Sequence, residues 1–176
     1  MTNPYSAPET TNEPHYDPEV QFEVRSLKLI TIGLAIGPMV FLGIALVLSQ
    51  GAIDGKPDIV AWLALGFAGL QFLMHILVPP LVAHAAIRRI DSRRFGDSDV
   101  AAKAGLLLPI FRQRHIIAMA MLEAAAFFNL VAYIISRFGG NLAVAAVLIL
   151  LIAVRLPSAA NVHSWIHERL QEIEMS

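Results

Sequence analysis

Four long apolar stretches separated by one strongly basic segment constrain this chain more than any other feature. They cover residues 27–49, 59–86, 116–136 and 142–156. A hydrocarbon core about 30 Å thick takes roughly 20 apolar helical residues to cross, and three of the four reach that length. A spanning segment finds no water in that layer, so it must close its backbone hydrogen bonds internally, as a helix does. The expected fold is therefore all-α: a polytopic membrane protein of four transmembrane helices, arranged as two antiparallel hairpins. Hydrophobic residues make up 56% of the chain and charged residues 15%, an apolar excess that water-soluble domains rarely carry.

The basic residues set the expected orientation. Arg25 and Lys28 stand at the start of the first stretch. Arg88, Arg89, Arg93, Arg94, Lys103, Arg112 and Arg114 fill residues 87–115, and Arg155 and Arg169 follow the last stretch. Only Lys56 and Arg137 lie in the other two connections. This imbalance places both termini and the basic loop on the cytoplasmic side of a multi-pass protein of the cell (inner) membrane.

Residues 1–26 hold four prolines (Pro4, Pro8, Pro14, Pro18) and five acidic residues. That composition cannot build a core and reads as a disordered tail. It also lacks the basic start and apolar run of a cleaved signal peptide. The absence of cysteine excludes disulfides, thiolate metal sites and iron–sulfur clusters.

Within the first helix, Gly33-x-x-x-Gly37 predicts a close packing seam, and Pro38 predicts a bend. Pro79-Pro80 predicts a sharp break in the second helix, with the last part leaving the membrane at an angle. The third helix is rich in alanine (Ala118, Ala120, Ala124, Ala125, Ala126, Ala132), so it offers small faces and is expected at the centre. The apolar run Gly105–Phe111, too short to span and broken by Pro109, predicts an interfacial segment against anionic lipid headgroups at the basic loop. The basic pairs are too few to argue for nucleic acid. Residues 158–176 carry Val162, Trp165, Ile166, Leu170 and Ile173 in one stripe at helical spacing. They predict an amphipathic helix with Trp165 near the headgroups, docked on the chain's own loop or on a partner. A shift of 87 residues matches Arg25, Phe41, Ala45 and Ser49 with Arg112, Phe128, Ala132 and Ser136, an echo consistent with a duplicated hairpin.

Few polar side chains fall inside the spans. Glu123 lies seven residues past Ile116, about 10 Å from the inner boundary at 1.5 Å per residue. An ionised carboxylate at that depth is costly, so it is expected protonated, paired or wetted by a cavity. His75 lies at a similar depth, about 12 Å from the same boundary, on the antiparallel second helix. A Glu123–His75 pair would share one proton, with Gln71 one turn further along as an ion- or proton-binding neighbour. Interhelical glue is the alternative reading for each. Asn129, six positions beyond Glu123, points to another face and is expected to bond a neighbouring helix. His84 and His115 are expected at the headgroups. His163 and His167 lack the further ligands a metal needs. Neither a metal nor a cofactor is expected.

The stretch Ala120–Tyr133, AMLEAAAFFNLVAY, resembles the carboxylate-bearing helix of rotary ATPase proteolipid (c) subunits. The resemblance covers fourteen residues and implies proton or sodium binding at Glu123 alone. Gly33, Gly37 and Gly43 do not give the glycine-repeat spacing of that family, and here the Glu would lie on the first helix of its hairpin. The whole chain is similar to small uncharacterised four-helix integral membrane proteins of bacteria, a resemblance that implies no activity. With no paired catalytic carboxylates, nucleophile motif or metal triad in the spans, an enzyme is not expected. A structural, assembly or partner-binding component of the bilayer, as a homo-oligomer or beside another membrane protein, is the expected function. The alternative is a proton- or cation-translocating bundle using Glu123 with His75.

Overall fold

The computed structural model describes residues 18–89 and 100–174, and these form five helices. They are α1 (Pro18–Leu48), α2 (Ile59–Ile87), α3 (Val100–Ser136), α4 (Gly139–Val154) and α5 (Ala159–Glu174). Among the described residues there is no strand, only an isolated antiparallel bridge between Asp54 and Phe138. Three helices are long and apolar enough to cross a membrane, and α4 adds a fourth span only if taken with α5, from which it bends by 77°.

Helix α3 is the hub. It packs against each of the other four helices, whereas α1 and α2 make no substantial contact with one another. Half of its most apolar window is buried, against 22% for those of α1 and α2. Small alanines make this possible: Ala118, Ala125, Ala126 and Ala132 are buried and let neighbouring backbones approach. The expected central position of this helix is therefore observed. The expected first hairpin is not, because α3 inserts between α1 and α2. The sequence echo has no structural counterpart either: α3 and α4 pack directly and α1 and α2 do not.

Large side chains cover the outside of the bundle. Leu29, Val40 and Val47 of α1, Leu63 and Leu81 of α2, and Leu150 and Val154 of α4 are all exposed. So much apolar surface suits lipid and would be a liability in water.

Several boundaries differ from the sequence reading. Helix α1 starts at Pro18, whose missing N–H is harmless in a first turn. Residues 18–26, expected in the tail, are thus helical, while residues 1–17 lie outside the described part. Helix α2 runs unbroken through Pro79 and Pro80. Two prolines cost two adjacent backbone bonds but keep helical φ, and within a packed bundle the freed carbonyls can be served by neighbours. Likewise, Gly105–Phe111 is no interfacial segment but two turns of α3, which continues through Pro109. Its Leu107, Leu108 and Ile110 are buried against Val24, Ala83, Val162, Trp165 and Ile166. The amphipathic C-terminal helix forms as expected, and its stripe is spent on the chain's own α1 and α3 rather than on headgroups. The remaining part of the basic loop, residues 90–99, lies outside the described residues.

The α1–α2 connection is tied to the α3–α4 turn. Asp58 caps α2, its carboxylate accepting from Ala61 N at 2.8 Å. Gly55 N donates to Arg137 O at 3.2 Å, and the two chains come so close that a Cβ on Gly55 would sit 1.9 Å from Ser136 O. Tyr133, fully buried, donates its hydroxyl to Ala52 O and accepts from Ser49 Oγ, both at 2.9 Å.

Candidate functional site

Two polar sites lie between the helices, one near each end of α4. At the first, Asn129 of α3 and Asn141 of α4 are both fully buried. Asn141 Nδ2 donates to Asn129 Oδ1 at 3.0 Å and to Ala61 O of α2 at 3.3 Å. Asn129 Nδ2 donates to Ala64 O of α2 at 3.2 Å and to Ala125 O at 2.9 Å. The pair clasps three helices, which fulfils the packing role expected of Asn129.

At the other end, His75 of α2 is 4% exposed. Its Nδ1 lies 2.8 Å from Ala118 O of α3, and Arg155, just past α4, donates to its Nε2. A guanidinium can only donate, so Nε2 accepts and the ring proton sits on Nδ1, where it is given to Ala118. One turn away, Thr31 of α1 donates to Leu27 O at 2.8 Å and accepts from His115 Nε2 at 2.9 Å. The His115 ring stacks on Phe111, centroids 6.3 Å apart and planes 12° from parallel.

These groups wall a cavity of about 580 Å³ between α2, α3, the end of α4 and the start of α5, a size suited to a small ligand. Its charged lining is Arg114 and Arg155, joined by His75, His115, Asn161 and Trp165, with no carboxylate among the described residues. Arg114 also lies over the Trp165 ring, 5.9 Å from its centroid. Trp165 is 7% exposed, and its Nε1–H has no acceptor among the described residues. Pro79 and Pro80 form part of the wall, so the carbonyls of residues 75 and 76 lack their helical donors there.

The expected Glu123–His75–Gln71 line does not assemble. Ala118, which receives His75, and Glu123 are five residues apart, about 140° around α3. Glu123 instead faces α1: a Cβ on Gly37 would sit 3.4 Å from its Oε1 and 3.4 Å from Phe127 Cζ. Glu123 and Gln71, both half-buried, have no hydrogen bond or ion pair among the described residues. Gln71 is also absent from the cavity wall. Gly37 thus sits in an α1–α3 seam as expected. Gly33 does not: although only about 40° around α1 from Gly37, it is exposed, with open space over its Cα. His84 is exposed, and His167 pairs with Gln171 at 3.2 Å. No group of three potential metal ligands occurs among the described residues.

Sequence reasoning missed the cationic cavity and Asn141. Arg155 reads as a residue reaching for headgroups, and Asn141 as part of a turn. The available signal was depth: residues 75 and 155 fall at matching heights when α2 and α4 are counted from their first residues. No family model, curated protein or solved structure matches the chain.

Proposed function

We propose that the chain is a four-span membrane protein with both termini and the basic loop on the cytoplasmic side. In this reading it is a non-enzymatic component that serves assembly or partner binding. The fourth span is α4, sixteen residues long and so about 24 Å. Its support is that Asn141 at one end bonds to Ala61, near the start of α2, and Arg155 at the other meets His75, deep in the same helix. A span this short is served by local thinning of the bilayer. The orientation rests on the basic residues. Lipid headgroups at the basic end, and a second copy or another membrane protein against the open Gly33 face, are the partners this reading implies.

The single observation favouring a binding component over a proton path is the separation of Glu123 from His75 on different faces of α3. Both ring nitrogens of His75 are committed to Ala118 and Arg155, so no relay reaches Glu123. Proton flux into liposomes carrying the purified protein tests this. The expected result is no flux above empty liposomes, for the wild type and for Glu123→Gln alike. Flux that vanishes in Glu123→Gln, with folding intact, would overturn it. The second reading, a proton or cation held at Glu123 without His75, is favoured by one fact: this half-buried carboxylate has no partner among the described residues.

A further inference from the structure

We propose that the cationic cavity between α2, α3, α4 and α5 binds the phosphate headgroup of an anionic membrane lipid. The lipid source rests on the membrane-spanning reading above; the affinity for a phosphate does not. Charge is the first argument. Arg114 and Arg155 both reach the wall, and among the described residues no acidic one does. Glu168 of α5 acts on Arg114 from outside, but Arg169 opposes it. Two guanidiniums on the wall of a half-open cavity are suited to the oxygens of a phosphate.

The second argument is an unused donor. Trp165 is nine-tenths buried in the wall, yet its indole N–H meets no acceptor among the described residues. A buried unpaired donor is costly, and a phosphate oxygen in the cavity would supply what it lacks. Arg155 already serves His75 through one guanidinium nitrogen and has further donors left to give.

The third argument selects a lipid over a free anion. Ile76, Val154 and Leu156 stand in the wall beside the charges and are 52%, 67% and 43% exposed. An apolar rim around a cationic interior matches an amphiphile, whose acyl chains lie on the rim while the headgroup enters. Inorganic phosphate gains nothing from such a rim.

The test uses the full chain in an uncharged detergent. The Trp165 indole N–H resonance, assigned by its persistence in Trp62→Phe, is followed during titration with phosphatidylglycerol, phosphatidylcholine or inorganic phosphate. Phosphatidylglycerol is expected to move it saturably, and the other two at equal concentration are not. Arg114→Gln and Arg155→Gln should each weaken phosphatidylglycerol binding about tenfold. Arg155→Lys, which keeps the charge and guards against a folding defect, should retain most of it. Saturation by inorganic phosphate alone would overturn the lipid as the source. Equal shifts with both lipids, or affinity unchanged in both Gln variants, would overturn the site itself. Binding in detergent is independent of orientation, so its failure is distinguishable from a failure of the topology.

Discussion

At the scale of single residues, the polar groups inside the bundle divide by whether they have partners. Asn129 and Asn141 bond each other and two carbonyls of α2, so their removal should be felt jointly. A double-mutant cycle of Asn129→Ala and Asn141→Ala, read as unfolding in detergent, should give a coupling of about 0.5–1.5 kcal/mol. Strict additivity would contradict the clasp. Glu123 has no such partner among the described residues, and Glu123→Gln should change stability by less than about 0.5 kcal/mol in the same assay. Much of this was legible in the chain. Asn129 was recognisable because an amide in a span must find a partner. The surroundings of Glu123 and the partners of His75 were not, because depth along a helix can be counted from sequence but the azimuth of a neighbouring helix cannot.

At the scale of elements, the helices follow from apolar runs, and their errors of boundary share one cause. Pro79-Pro80 and Pro109 read locally as breaks, yet α2 and α3 pass through them. Proline cost is set by whether packing can restore the freed groups, a tertiary fact. Close approaches are likewise tertiary, and Gly55 shows it: nothing in the loop's sequence reveals that Ser136 O lies where a Cβ would be. Gly55→Ala should therefore destabilise by about 1–3 kcal/mol through the backbone shift it forces, measured as a lowered midpoint of unfolding. The amphipathic stripe of α5 was readable, but the surface it covers was not. Because Val162 is fully buried among Val24, Leu107 and Trp165, Val162→Asp should cost about 3 kcal/mol or more. Proteolytic release of α5 is the check. A surface-lying helix would tolerate the change.

At the scale of the whole molecule, composition and the distribution of basic residues sufficed to expect an all-helical membrane protein, and the five packed helices agree with that class. The arrangement was not readable, since sequence adjacency suggested that α1 pairs with α2, whereas the alanine faces of α3 draw it between them. The cavity arises from that arrangement: it needs α2, α3 and α4 side by side and α5 folded back by 77°. Its meaning depends on where the membrane lies. The chain has no cysteine, so single cysteines can be placed without removing any native thiol. Lys56→Cys, Arg89→Cys and Ser164→Cys, all at exposed positions, would be labelled in intact cells with a membrane-impermeant maleimide. Labelling from outside at residue 56 alone, with 89 and 164 reacting only after permeabilisation, is the predicted result. Labelling of residue 164 from outside would show that α4 does not cross, and would contradict the four-span topology on which the cytoplasmic cavity rests.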